Sequence, residues 1–235
     1  MSSTGSWRTS SSLALLAAAL LAGCATHRWP VSYVGDFRDT SQWIVEAEQP
    51  ARISTGDDAL DIDAPAGVTL WFKRELGTDV EIEFDATAIS AGGLNDNVSD
   101  LNVFWMAHNA DGTRPVYARP RSGRFADYDD LLTYYVGLGG NRNTTTRFRR
   151  YIGVPGNRPL LPEHDLSAPR FLLVANRRQR ITLIADGSHV EYRRDGRAIF
   201  RFEDPAPYTS GWFGLRTTSS HLRIENLRIR GPLLD

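Results

Sequence analysis

Past residue 34 this chain is a succession of short runs that alternate apolar and polar residues. Each run closes on Gly, Pro, Asn or Asp, and no long stretch follows a 3.6-residue period. Successive side chains on a strand point to opposite faces, so the pattern is that of half-buried strands in an all-β sandwich or barrel. Residues 68–73 and 80–86 alternate plainly, the latter with Ile82, Phe84 and Ala86 on one face. Further strands are expected over 100–108, 131–138, 144–152, 171–175, 180–186, 190–193, 198–202, 212–216 and 222–230. Asp186-Gly187 and Asp195-Gly196 are turn dipeptides, which makes 180–202 a meander of two hairpins. No composition break divides the body, so a single domain is expected.

Residues 1–34 are written differently. Arg8 stands in a Ser/Thr-rich start, an apolar run follows from Leu13 to Leu21, and Leu21-Ala22-Gly23-Cys24 closes it. The run is short of the ~20 residues that span a bilayer. A charged start, an apolar stretch and small residues mark a secretory signal. Leu-Ala-Gly-Cys here resembles the bacterial lipobox, whose cysteine is lipidated; the other reading is an ordinary signal with a chance cysteine. The resemblance implies a lipoprotein signal over 1–23, a tether over 24–34 and a domain over 35–235. The mature chain would be exported and held to a membrane through lipid on Cys24, at the periplasmic face or outer membrane, toward which Ala25 leans. As the only cysteine, Cys24 leaves no disulfide and no cysteine metal site within the chain.

Residues 180–229 combine Ile181-Thr182-Leu183-Ile184-Ala185-Asp186-Gly187, a second Asp-Gly turn, Gly211-Trp212-Phe213-Gly214-Leu215-Arg216 and Leu222-Arg223-Ile224-Glu225-Asn226-Leu227. They resemble the closing strands of concanavalin-A-like jelly rolls, a fold of many glycan-binding and glycan-processing proteins. Residues 67–76, 99–107 and 131–152 further resemble a family of exported bacterial proteins of unknown function. That family is related to proteins of rhamnogalacturonan and other plant-polysaccharide utilisation loci. The resemblance implies one sandwich of two antiparallel sheets and a polysaccharide setting. It brings no settled activity.

Charge gives the first hint of a site. The formal net charge of −1 argues against a nucleic-acid partner, yet the charge is segregated. Residues 24–140 carry nine Arg or Lys and nineteen Asp or Glu, residues 141–180 nine Arg and two acids, and residues 181–235 eight Arg and seven acids. Lys73 is the only lysine, so arginine identity says little, whereas its clustering points to an anion site. Alternation then sorts faces. Tyr134, Val136 and Leu138 with Leu132 form a core set opposite Thr133, Tyr135 and Gly137. Phe148 and Ile152 point inward, leaving Thr145, Arg147, Arg149 and Tyr151 together outside. Asn102, Phe104, Met106 and His108 share one side of their strand, and Trp71 and Lys73 oppose Val68, Leu70 and Phe72.

Trp71, Lys73, Asn102, Arg147 and Arg149 therefore form a candidate sugar-binding set, by ring stacking and hydrogen-bonding forks. Trp71 packing beneath a loop, and arginines on a solvated face, are the structural alternatives. Several chemistries are excluded. Gly137-Leu138-Gly139-Gly140-Asn141 lacks the Lys-Ser/Thr and helix of a phosphate loop, and no His-Glu-x-x-His set for zinc occurs. Glu81, Glu83 and Asp85 share a face as a retaining glycosidase pair would, but without that class's signature or an aromatic partner. β-Elimination from a uronate needs a cation to neutralise the carboxylate and groups to move protons. Arg147 and Arg149 supply the first; Tyr135 or Tyr151 with His108 or His164 supply the second. A non-catalytic glycan-binding lipoprotein needs the same groove without proton carriers. Asp57, Asp58, Asp61, Asp63, Asp96, Asp100, Asp127, Asp129 and Asp130 occupy loops of the kind that hold Ca²⁺, and the fold resemblance implies a structural calcium without saying which residues bind it.

Overall fold

The computed structural model describes residues 1–2, 29–38 and 40–234. The signal segment and Cys24 lie outside the described residues. In chain order the strands are β1 (Val31–Val34), β2 (Trp43–Ala47), β3 (Arg52–Gly56), β4 (Ala59–Ala64), β5 (Val68–Phe72), β6 (Glu75–Gly77), β7 (Val80–Ala88) and β8 (Leu101–Asn109). An irregular stretch, 110–130, separates these from β9 (Leu131–Gly139), β10 (Thr145–Ile152), β11 (Asp165–Leu166) and β12 (Gln179–Ala185). The chain closes with β13 (His189–Arg194), β14 (Arg197–Glu203), β15 (Ser210–Thr217), β16 (Ser220–Arg230) and β17 (Leu233–Leu234).

Among the described residues they form two antiparallel sheets. The first runs β14-β13-β12-β7-β16-β4-β3, with β1 on β16; the second runs β11-β10-β9-β8-β15-β5-β2, with β6 on β15 and β17 on β6. Alternate side chains of both sheets meet in one core. Phe84 of the first sheet lies with its ring centroid 6.0 Å from that of Phe213 of the second. Ile82, Ala86, Val103, Trp105, Val136 and Leu215 surround them, all buried. Each large apolar side chain removed from water in this way contributes roughly 1.5–3 kcal/mol.

The expected sandwich is therefore present, and so are the two hairpins. Asp195 and Gly196 both adopt left-handed φ, 52° and 76°, as a two-residue turn between twisted strands requires. Four expectations are corrected. Residues 171–175 are not a strand: Pro169–Phe171 is a 3-10 turn. Ile152, at the end of β10, is 37% exposed rather than inward. Val31–Val34, within the segment read as tether, pairs with β16. The fourth is a change of face in β8. Met106 takes a left-handed φ of 54°, and the pairing register with β9 shifts between Trp105 and His108. This bulge adds one residue and reverses the alternation. Met106 joins the main core, and His108 pairs with Leu132 instead of continuing the face of Asn102 and Phe104.

Gly211 makes room for the bulge. Its φ is 146°, and a Cβ there would lie 2.3 Å from the Met106 carbonyl carbon. Gly211→Ala is expected to lower stability by at least ~2 kcal/mol in urea denaturation. Acid unfolding offers a second check at the β12–β13 turn. Burial of the Asp186 carboxyl works to raise its pKa, but the N–H groups of His189 and Ser188 outweigh that and bring it from 3.8 to about 2. The folded value is depressed, so the stabilisation is complete above the unfolded pKa and is lost as pH falls through the folded one. Between about pH 4 and pH 2, Asp186→Asn is expected to lose roughly 2 kcal/mol less than the parent chain.

Candidate functional site

The outer face of the second sheet is divided. Over one half lies the stretch 110–130, and beneath it a second apolar cluster forms from Trp71, Phe104, Ala107, Val116, Tyr128, Leu131, Tyr135, Tyr151 and Trp212. Glu46 of β2 fastens this cover. Its buried carboxylate accepts the Trp71 indole N–H at 2.9 Å, the Tyr128 hydroxyl at 2.9 Å and the Arg121 backbone N–H at 3.1 Å. Arg121 in turn donates to the carbonyls of Asp127 and Val116 and to the Asn109 and Asp130 side chains.

Over the other half the sheet stays open as a groove of about 990 Å³. Register defines its floor. Arg147 pairs with Gly137, Gly137 with Asn102, Asn102 with Arg216 and Arg216 with Thr69, in one row across β10, β9, β8, β15 and β5. In the next row Arg149 pairs with Tyr135 and Tyr135 with Phe104. Neighbouring strands lie ~4.8 Å apart, so Arg147 and Arg216 flank Gly137 and Asn102 from Cα positions roughly 14 Å apart. Asp100, Phe125, Arg142 and Arg158 complete the walls.

The cations fall into two groups. Arg147 forms a two-pronged pair with Asp165, at 2.8 and 3.1 Å, and Arg158 pairs with Asp129. Arg142, Arg149 and Arg216 form no salt bridge with a carboxylate among the described residues. Arg149 donates to the Arg158 carbonyl. Burial, with Arg147 and Arg158 close by, holds its guanidinium below the ordinary value. Arg216 is only 3% exposed. It donates to Thr69 Oγ1 at 2.8 Å and the Gly123 carbonyl at 2.9 Å, and lies over the rings of Tyr128 and Phe125. A buried cation held by neutral acceptors and ring faces attracts an anion.

Two groups in the groove can carry protons. Burial pushes the Tyr135 phenol well above its usual value, so it remains a donor near neutrality. Burial also raises the Asp100 carboxyl, against the Asn102 amide, Ser99 and the Arg216 charge, all of which favour its ionised form.

Asn102, Tyr135, Arg147 and Arg149 thus reach one groove. The other expected residues do not. Trp71 and Tyr151 share the correct face but are fully buried under 110–130. Lys73 lies past the end of β5, exposed, its carbonyl accepting the Tyr117 hydroxyl and the Trp212 indole N–H. His108, moved by the bulge, stands edge-on to Tyr208, and burial lowers its pKa. His164 is wedged among Phe148, Phe200 and Phe202, where burial likewise lowers it. Sequence reasoning missed Arg216, Asp100 and Arg158 as groove residues. For Arg216 a signal existed, because alternation in 212–216 sets it opposite the core residue Leu215.

The acidic loops do not fit a structural Ca²⁺. Asp61 holds Arg223, Asp96 accepts the N–H groups of Ala91 and Gly93, and Asp129 and Asp130 pair with arginines. Among the described residues no three His, Cys, Asp or Glu side chains gather around one point. A second hollow on the outer face of the first sheet is self-neutralised. There Glu81 pairs with Arg230 at 2.8 Å, Asp85 with Arg178 and Arg180, and Glu191 with Arg193.

Residues 62–227 match a family described as a domain of unknown function (DUF6250). No curated protein matches the chain. Among solved structures it is similar to a galectin-like protein of unknown function from Bacillus subtilis, at 16% identity over 87% of this chain and 97% of that one, with a TM-score of 0.66. It is also similar to the carbohydrate-binding module CBM66 from Bacillus subtilis, at 12% identity over 81% and 96% of the two chains, TM-score 0.54. A Bacillus licheniformis β-glucanase follows, at 12% identity over 86% and 99%, TM-score 0.53. At these identities the likeness establishes the galectin- and concanavalin-A-like jelly roll.

The role given to Glu46 is open to a direct check. Glu46→Ala leaves three buried donors without their acceptor, at roughly 1–3 kcal/mol each in the worst case. It is expected to cost at least ~3 kcal/mol in total and to make Arg121 and Arg124, followed by Ser122 and Phe125, the first sites of tryptic cleavage, read by mass spectrometry.

Proposed function

Because the chain belongs to the DUF6250 family, whose description assigns no function, we propose from the groove itself that the protein recognises acidic polysaccharide. The observation that carries this reading is the set of guanidinium groups, Arg142, Arg149 and the buried Arg216, that line the groove without carboxylate partners. Guanidinium forks match sugar carboxylates, and the Phe125 and Tyr135 rings beside them offer apolar surface to a sugar face. The names of two structural neighbours, a carbohydrate-binding module and a β-glucanase, agree with a glycan as partner. In this proposal the ligand is a uronate polymer of the rhamnogalacturonan or pectin type. The protein would act at the cell envelope, exported by its first 23 residues and anchored through Cys24.

A second reading, β-elimination, is favoured by one observation: Asp100, its pKa raised by burial, shares the groove with the Tyr135 phenol. Arg149 and Arg216 would neutralise the uronate carboxylate and so acidify the adjacent C–H. Asp100 would take that proton, the bond to the leaving oxygen would break, and Tyr135 would protonate that oxygen. The product is an unsaturated uronate plus a shortened chain. Activity would rise with pH as Asp100 ionises.

Titration calorimetry with galacturonate, glucuronate and mannuronate oligomers tests the primary reading. Wild type is expected to bind at least one of them and to release it as salt is raised. Arg149→Met and Arg216→Met are each expected to weaken it at least ~10-fold, which is about 1.4 kcal/mol. Unchanged affinity in both folded variants would remove the proposal. Ultraviolet absorbance from an unsaturated product, absent in Asp100→Asn, would establish the second reading.

A further inference from the structure

The centre of the groove floor holds a feature that charge does not explain. Gly137 sits in β9 between Asn102 and Arg147, in the interior of a strand, where glycine often marks the close approach of a ligand. A Cβ there would lie 2.8 Å from the Tyr135 hydroxyl, 3.2 Å from its Cε1 and 3.3 Å from Asn102 Oδ1. Two polar atoms therefore converge on the space that a side chain would fill. Asn102 is 3% exposed, and its Oδ1 accepts no hydrogen bond among the described residues. Its Nδ2 donates to Asp100 Oδ1 at 3.3 Å, which sets the amide so that Oδ1 faces Gly137. A buried amide oxygen is costly to leave without a donor.

Resting on the acidic-glycan reading, we propose that this niche is a subsite for one free hydroxyl of the acidic sugar whose carboxylate lies on Arg149. The complement follows from the two atoms. Asn102 Oδ1 only accepts, so the ligand must donate to it; the Tyr135 O–H donates, so the ligand must also accept. An alcohol does both within the volume of about one methyl group. A carboxylate would face the Asn102 lone pairs with its own, and an O-acetyl group has no proton to give and no room. Arg149 pairs with Tyr135 in the register and stands one strand away, so carboxylate and hydroxyl can belong to the same ring. The preferred ligand class is an unesterified hexuronate that is neither acetylated nor sulfated at that hydroxyl.

The test uses the full-length protein and whichever of the galacturonate, glucuronate or mannuronate oligomers binds wild type most tightly. The same oligomer is prepared O-acetylated at its secondary hydroxyls and, separately, as its methyl ester. Wild type is expected to bind both derivatives at least tenfold more weakly than the parent oligomer. Gly137→Ala is expected to bind the parent oligomer at least tenfold more weakly than wild type does and to lose the preference over the acetylated form. Asn102→Leu removes the acceptor without filling the niche and is expected to lose the same preference; it decides the matter if Gly137→Ala does not fold. Wild-type affinity that is indifferent to acetylation, or full affinity in Gly137→Ala or Asn102→Leu, overturns the subsite while leaving acidic-glycan recognition in place. Failure of wild type to bind any oligomer overturns both.

Discussion

A strand has two faces, and along half of the second sheet both are buried. One face closes the core shared with the first sheet; the other lies under residues 110–130. This double burial sets everything that follows. It explains why β5 and β8 read as nearly continuous apolar runs, Val68–Phe72 and Leu101–Ala107, where a one-sided sheet would alternate with polar residues. It also requires polar groups in the second layer to be satisfied without water. Glu46 does this for Trp71, Tyr128 and Arg121 at once, which ties the cover to the sheet beneath it. The open groove is the remainder of that face, and its wall is the edge of the cover, where Phe125 stands.

Two hollows among the described residues differ in how their charge is arranged. Both lie on the outer faces of sheets and both are rich in arginine. On the first sheet, cross-strand neighbours alternate in sign: Arg228 opposite Glu83, Arg230 opposite Glu81, Arg180 opposite Asp85. Such pairs stabilise a sheet modestly and leave no net field for a ligand. In the groove, carboxylates form salt bridges with Arg147 and Arg158 but, among the described residues, not with Arg142, Arg149 or Arg216. The guanidinium of Arg216 is kept in place by a hydroxyl, a carbonyl and two ring faces, contacts that position a cation without neutralising it.

How much of this was legible in the sequence depended on the range of the interaction concerned. The pleat is local, so alternation sorts the faces of β5, β9 and most of β10, and it is the pleat that sets Tyr135, Arg147 and Arg149 along one groove. Asp195-Gly196 is equally local. The β3–β4 hairpin was missed because its left-handed turn residues are Asp57 and Asp58, which tolerate that backbone but read as an acidic cluster. The bulge at Met106 is held open from β15, 105 residues along the chain, through Gly211; no run of residues around 106 announces it. His108 was lost for that reason. The pairing of Arg147 with Asp165 and of Arg150 with Asp204 likewise joins segments that only the fold brings together. Asp100 looked like one more loop acid because its meaning comes from burial beside Asn102.

Rigidity is the last property of the groove, and it follows from where its residues are mounted. Asn102, Tyr135, Gly137 and Arg216 sit on strands paired on both sides, and Arg149 is paired to Tyr135 of β9, so the backbone that carries them has little freedom to lose on binding. The rim at the β9–β10 turn is held just as closely. Asn141, Arg142 and Asn143 all take left-handed φ, a conformation that asparagine tolerates and that is uncommon for arginine. The Asn143 amide stabilises it by donating to the Leu173 carbonyl and accepting the Leu173 N–H, while Thr146 accepts from the Gly139 N–H. Leu173 is the buried residue of 171–175, the segment expected as a strand. By remaining a loop, that segment can brace the turn that carries Arg142 to the groove. A charged pocket built in this way would meet an anionic ligand with its cations already placed, so that a larger share of each guanidinium–carboxylate contact would remain as affinity.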